Sequence, residues 1–197
     1  MGRPREHDER DVRERVMRCF WELGFDAASI AALEKSAGIN RRQLFRDYGN
    51  KRGLLLQALD DFTTFAGTLY LAPMERAGSG LDTIRDTLRT LAELPSAPYG
   101  HLGCLVCNTS RESLAQSDTE VAEKVRAFFR RIEAAYLCAL TQAAARGEMD
   151  SSPRKLRAAA RHMFAVHVSL LVLARSGLDQ SVLADVAEHA LMSLRSL

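Results

Sequence analysis

The sequence predicts an all-α protein, an N-terminal three-helix helix-turn-helix unit followed by a C-terminal helical bundle, with about nine helices in total. Three observations lead there. Apolar residues recur at helical period from one end of the chain to the other, no stretch shows the β-branched apolar/polar alternation that a half-buried strand requires, and glycine, proline and Ser/Asn/Asp residues stand where helices stop and start.

Taken in order, the first helix is read from Val12, Val16, Cys19, Phe20 and Leu23, which share one face, with Gly24 placed to end it. Ser29 caps a short second helix carrying Ile30 and Leu33, and Gly38 marks a tight turn. Asn40 caps the third helix with Gln43 three residues on, a capping-box pair that competes with any outward role for Gln43. A fourth helix, about 51–72, starts after Gly49-Asn50 and runs through Leu54, Leu55, Ala58, Leu59, Phe62, Phe65 and Ala66 toward Pro73. Beyond Gly78-Ser79-Gly80 the pattern gives helices near 81–94, 102–115, 118–146, 153–175 and 180–195. Pro95 and Pro98 stop one, Ser117 with Glu120 forms a capping box, Gly147 ends the long one, Ser152-Pro153 opens the next, and Gly177 separates the last pair. The expected division is a front unit at 1–50 and a rear domain at 51–197, with the fourth helix as connector.

With 197 residues and 47% apolar content the chain can bury a sizeable core. Its start, Met1 to Arg10, is polar and charged, and the longest apolar run, Met163 to Ala174, is interrupted by His167 and Ser169. Neither a secretory signal nor a membrane span fits that pattern. Four cysteines without an export signal point to a reducing compartment, so a cytoplasmic location is expected. The net charge of +2 is unevenly placed: residues 1–60 hold twelve Lys/Arg against ten Asp/Glu, and residues 61–197 hold fifteen of each. The excess lies at the front, but it is too small for a non-specific nucleic-acid binder.

Within the front unit Ile30, Leu33, Ala37, Ile39, Leu44 and Tyr48 are spaced to pack inward, which leaves Arg41, Arg42, Gln43 and Arg46 on the outer side of helix three. Arginine can bond guanine bidentately and glutamine adenine, so this face suits a DNA major groove; a merely solvated polar face is the alternative.

A resemblance bears on that choice. Gly24-Phe25-Asp26-Ala27-Ala28-Ser29-Ile30, Ala37-Gly38-Ile39-Asn40-Arg41-Arg42-Gln43-Leu44-Phe45, Tyr48-Gly49-Asn50-Lys51 and Leu54-Leu55 resemble the N-terminal domain of the tetracycline-repressor (TetR) family. The resemblance implies that helix three, opened by Asn40 and carrying Phe45, lies in the major groove of double-stranded operator DNA, and that Ser29 and Lys51 contact phosphates. Two residues depart from the family pattern. Phe45 stands where tyrosine is usual and has lost a phosphate-bonding hydroxyl. Asp47 stands where histidine or an aromatic residue is common, and would repel a phosphate or accept from a cytosine amine. Arg3 and Arg5, in a Gly-Arg-Pro-Arg opening that many members resemble, are candidates for a minor-groove arm, a frayed terminus being the alternative.

The rear helices resemble the family's regulatory domains in number and order, with Gly103-Cys104-Leu105 as a local mark. The resemblance implies a homodimer through the last two helices, whose apolar residues exceed what one buried side needs, core packing within one monomer being the alternative. Candidate effector-pocket residues are Phe62, Phe65, Leu88, Cys104 and Cys107, together with Phe128, Ile132, Tyr136, Met163 and His167. His167 reads either as a core histidine bonded to a backbone carbonyl or as the group that meets a ligand's polar atom. Cys104 and Cys107 share a helical face, and a thiol near a helix N-terminus can be acidified; a lining role is the alternative to thiol sensing.

No second Cys/His pair stands at zinc spacing, so no metal or other cofactor is expected. An enzyme is not expected either: a helical thiol peroxidase would need histidine four residues after the second cysteine, where the chain has Arg111, and no Gly-x-Ser-x-Gly or phosphate loop is present. An adaptor binding only protein is argued against by Arg41, Arg42 and Arg46. The expected function is a ligand-responsive transcriptional regulator, a repressor, binding a pseudo-palindromic operator as a dimer and released by a small-molecule effector. The alternative is a regulator that senses oxidants or electrophiles through Cys104 and Cys107.

Overall fold

The computed structural model describes residues 8–149 and 152–194, and every regular element among them is helical. Arg3 and Arg5 lie outside the described residues.

Helix α1 (Glu9–Ala27) is capped by Asp8, whose carboxylate accepts from the Arg10 N–H at 2.9 Å, and it buries Val12, Val16, Cys19 and Phe20. Gly24 (φ 78°) leaves helical geometry and kinks the chain. Leu23, expected on the buried face, is 47% exposed, one residue before the Gly24 kink. Helix α2 (Ile30–Ala37) starts at Ser29, whose hydroxyl accepts from Ala32 N–H at 3.1 Å, and ends at a left-handed Gly38. Helix α3 (Arg41–Tyr48) opens with the full reciprocal box: Asn40 Oδ1 accepts from Gln43 N–H at 3.0 Å, and Gln43 Oε1 from Asn40 N–H at 3.1 Å. Leu33, Ala37 and Leu44 are buried, and Ile30, Ile39 and Tyr48 half-buried against the same core.

Helix α4 (Lys51–Ala66), capped by Asn50, lies along α1 and carries the chain out of the front unit. It widens into one π-helical turn at Gly67–Leu71 and resumes as α5 (Ala72–Glu75). After α6 (Leu81–Ala92) come two 3-10 turns, Leu94–Ser96 and Gly100–Leu102. The single helix expected near 102–115 is divided into α7 (Leu105–Thr109) and α8 (Ser113–Ser117). Gly103 explains the late start. It adopts φ 67° and ψ −125°, and a Cβ there would sit 2.6 Å from the Leu171 carbonyl oxygen, so the strand of chain before α7 passes against α10 only as glycine.

Helix α9 (Thr119–Ala145) is capped by Asp118 rather than by the expected Ser117–Glu120 box: Asp118 accepts from Glu120 and Val121 N–H groups, while the Ser117 hydroxyl bonds back to Ser113. Helices α10 (Pro153–Arg175), opened by Ser152, and α11 (Gln180–Leu194) follow, α10 at its expected bounds and α11 starting where expected. Helix α10 packs on α9, α6 and α11 and buries Ala160, Met163, His167 and Leu170. By length and composition alone it could cross a membrane, with a mean hydropathy of 1.3 over its best window; within the fold 39% of that window is buried.

Ion pairs tie front to rear. Arg52 at the start of α4 holds both Asp118 and Glu120, and Lys124 of α9 pairs with Asp60 of α4.

Candidate DNA-reading face and effector cavity

Arg41, Arg42 and Arg46 all lie exposed on α3, as the inward spacing of its apolar residues requires. They are not equivalent. The Arg41 guanidinium stands over the Phe45 ring, 5.2 Å from its centroid, and Arg46 makes two hydrogen bonds to Asp47, at 2.8 and 2.9 Å. Arg42 has neither arrangement. Asp47, the family-atypical residue, therefore holds the Arg46 guanidinium alongside the helix. Phe45 is half-buried against the core and serves as the apolar floor under Arg41. Gln43 is engaged in the capping box, and Asn40 and Ser29 spend their side-chain oxygens on helix starts, with the neighbouring helix N-termini turned outward. Lys51 sits at the start of α4 with its ammonium 4.4 Å from the Phe25 ring centroid and 3.4 Å from the Asp26 carbonyl oxygen. These contacts orient its charge beside the N-terminus of α2, where an anion would find N–H groups and a cation together.

Behind this face, a cavity of about 260 Å³ lies between the front unit and the rear helices. Phe62 and Phe65 of α4 form one side, Cys104 and Phe128 another, and His167 and Leu171 of α10 the back. Of the remaining candidates, Leu88, Ile132 and Met163 are fully buried in the core and do not line it; their helical faces were apolar enough for either position. Cys107 is buried one turn beyond Cys104, and Tyr136 stands behind His167 rather than on the wall. Sequence reading missed Trp21, Tyr70 and Tyr99. Trp21 belongs to the front unit, Tyr70 to the π turn that rotates α4 out of register, and Tyr99 to a loop, so no helical periodicity points to them.

Tyr99 has a left-handed backbone (φ 61°), uncommon for a bulky side chain, and the Arg18 guanidinium lies 4.4 Å from its ring centroid. With Phe65 and Leu69, each about half exposed, it frames a mouth that opens onto a groove between α1 and α4. At the back, the Tyr136 hydroxyl lies 3.1 Å from His167 Nδ1. Burial lowers the His167 pKa to about 3 and raises that of Tyr136, so both are neutral at physiological pH.

The paired thiols are asymmetric. Burial opposes ionisation of Cys104, but the Cys107 thiol and the Cys107 and Val106 N–H groups at the start of α7 outweigh it and hold its pKa below the ordinary thiol value. Cys107 is pushed up, first by its hydrogen bond to Cys104 and then by burial.

The loop carrying Cys104 also touches the front unit. The Leu102 carbonyl accepts from Trp21 Nε1 at 3.2 Å, Asn108 Nδ2 at 3.1 Å and Arg175 Nη1 at 3.0 Å, joining α1, α7 and α10 at one oxygen. Glu112, between α7 and α8, accepts from the Phe25 N–H at 2.8 Å just past the Gly24 kink; burial raises its pKa despite that bond.

Comparison with known proteins bears on the front unit and on the overall fold. The family model for bacterial regulatory proteins of the tetR family matches residues 15–58, from α1 into α4. The uncharacterized HTH-type transcriptional regulator YezE of Bacillus subtilis (strain 168) is 27% identical over 194 residues, covering 98% of this chain and 100% of that one. The HTH-type transcriptional repressor ComR of Escherichia coli (strain K12) is 24% identical over 149 residues, 75% of this chain and 70% of that one. Among solved structures, a cysteine mutant of the TetR family transcriptional regulator CifR in complex with 26-base-pair double-strand operator DNA superposes with a TM-score of 0.86 at 24% identity, over 96% of this chain and 98% of that one. A putative TetR transcriptional regulator from Rhodococcus sp. RHA1 has a TM-score of 0.60 at 25% identity, covering 95% and 98%. These relatives are regulators, not enzymes. The tetR-family match thus covers the helix-turn-helix unit, residues 15–58, and the rear helices share the fold of these regulators.

Proposed function

We propose that the protein is a transcriptional repressor that binds a pseudo-palindromic operator as a homodimer and releases it when a small molecule fills the cavity between its front and rear helices. The observation that carries this reading is the shared wall: Trp21 of α1 lines the cavity and bonds the loop that leads to Cys104, so an occupant pushes on an element of the DNA-reading unit. The exposed arginines of α3 support base reading, and Lys51 and Ser29, at helix N-termini, suit phosphates. Val172 of α10 with Val182 and Met192 of α11 are exposed apolar residues on the two helices proposed to pair with a second copy. Two copies would set their α3 helices about one DNA turn, roughly 34–36 Å, apart. A cytoplasmic location accords with four free cysteines among the described residues.

Selection of purified protein against random duplex DNA at near-physiological salt tests this. An enriched inverted repeat bound by two protomers is the expected result; failure to enrich any sequence at any salt would overturn it.

A second reading is favoured by the position of Cys104, whose thiol is on the cavity wall and beside the start of α7. In it, modification of Cys104 by an electrophile releases the operator. Stoichiometric alkylation of Cys104 with loss of operator binding, absent in Cys104→Ser, supports this; alkylation that leaves binding intact removes it.

A further inference from the structure

The polar chemistry of the cavity is sparse enough to say what class of molecule it selects. We infer that it takes a neutral, mostly apolar molecule of single-ring size bearing one hydrogen-bond acceptor oxygen, and that His167 Nε2–H reads that oxygen. The inference rests on the effector-cavity reading above and adds the chemistry of the occupant.

Charge is the first constraint. None of the described residues lining the cavity is Lys, Arg, Asp or Glu. An ammonium or carboxylate would be stripped of water there with no opposite charge to replace it. The pairs nearest the mouth, Arg13 with Asp61 and Arg18 with Glu14, already neutralise one another.

The second constraint is a proton position. Tyr136 is fully buried and its hydroxyl's one recorded partner among the described residues is His167 Nδ1. If Nδ1 carried the proton and donated, the phenol hydrogen would be left unpaired in the core, so the phenol donates and Nδ1 accepts. A neutral imidazole that accepts at Nδ1 carries its hydrogen on Nε2. His167 is 3% exposed and lines the cavity, Tyr136 stands behind it, and no described residue accepts from Nε2. Thr109 Oγ1 is the buried side-chain polar atom without a partner among the described residues; His167 Nε2 instead opens onto the cavity, where an occupant can supply the acceptor. The backbone carbonyl expected to satisfy a core histidine is not what holds this one.

Size is the third. At about 260 Å³ the cavity exceeds the ~150 Å³ apolar void that admits a benzene ring. Aromatic walls from Trp21, Phe62 and Phe128 suit a flat ring with a short substituent. Tyr70, kept neutral by burial, adds a hydroxyl and no charge.

The test uses three probes of one skeleton: acetophenone, its hydrocarbon isostere α-methylstyrene, and benzoate. Trp21 is the chain's one tryptophan and stands on the cavity wall, so quenching of its fluorescence reports occupancy directly. The full-length wild type should bind acetophenone about tenfold more tightly than α-methylstyrene, the worth of one neutral hydrogen bond, and should not bind benzoate. His167→Phe alone leaves the Tyr136 hydroxyl orphaned and risks unfolding, so the decisive variant pairs it with Tyr136→Phe, removing donor and acceptor together. That double variant should bind acetophenone and α-methylstyrene equally. Binding of benzoate, equal binding of the two neutral probes by the wild type, or a preference surviving in the double variant would overturn the inference while leaving the cavity standing. No quenching by any probe up to its solubility would overturn the effector cavity itself.

Discussion

Gln43 holds a position that two roles compete for, and substituting it separates them. Its Oε1 accepts from the Asn40 N–H at 3.1 Å while Asn40 Oδ1 accepts from the Gln43 N–H at 3.0 Å. Removing one half of such a box costs about 0.5–1 kcal/mol, and α3 is only eight residues long, so its start matters. At roughly 2–4 °C per kcal/mol for a chain of this size, Gln43→Ala should lower Tm by about 1–4 °C. Gln43→Glu keeps the accepting oxygen and adds a negative charge near a helix N-terminus, so its Tm should equal or exceed that of the wild type. The glutamate has, however, lost the amide donors that would complete a bidentate bond to adenine. If capping is the role of Gln43, both variants should retain the wild-type base preference, with Gln43→Glu weaker on all sequences because its charge faces phosphate. Thermal unfolding and titration of the selected operator with single-base variants read both quantities. An unchanged Tm for Gln43→Ala together with relaxed preference at one base pair, worth roughly 1–3 kcal/mol, would refute the reasoning and mean that the box opens on DNA.

Further outcomes follow from the same geometry. Arg42→Ala should relax preference at one base position, whereas Lys51→Ala should weaken all sequences alike and reduce the salt slope by about 0.9; a changed base preference for Lys51→Ala would show the contacts to be wrongly sorted. Gly103→Ala places a Cβ 2.6 Å from the Leu171 carbonyl oxygen in a positive-φ conformation, so it should cost at least about 1–3 kcal/mol in denaturant unfolding; a neutral result would mean that the loop before α7 moves freely. The Arg52 guanidinium, with the Val121 N–H, holds the Asp118 carboxyl at about 2, below its ordinary value. Because the folded pKa is the lower one, the associated stability is fully present above about pH 4 and is lost as pH falls toward 2. Asp118→Asn keeps the cap but not the charge, so its stability deficit should shrink over that window, and a pH-independent deficit in urea midpoints would contradict the pairing.

Much of this architecture was legible in the chain because it depends on neighbours within a turn or two. Ser29, Asn40, Asn50 and Ser152 cap helices by bonding N–H groups three residues on, and the spacing of Leu33, Ala37 and Leu44 alone turns Arg41, Arg42 and Arg46 outward. The cavity was legible only in part. Phe62, Phe65, Cys104, Phe128 and His167 reach its wall, but Leu88, Ile132 and Met163, as apolar and as well spaced, do not, since periodicity says that a face is buried and not what lies opposite it.

Local hydrogen bonding and apolar period are enough to specify the helical class, the helix-turn-helix unit and its outward arginines. Long-range packing splits 102–115 into two short helices, brings Tyr70 of the π turn to the cavity, and makes Trp21 of the front unit a wall of the rear pocket. It also decided the proton of His167, because a tautomer depends on which nitrogen finds a partner, and Tyr136, thirty-one residues away along the chain, is a neighbour only once α9 and α10 have packed.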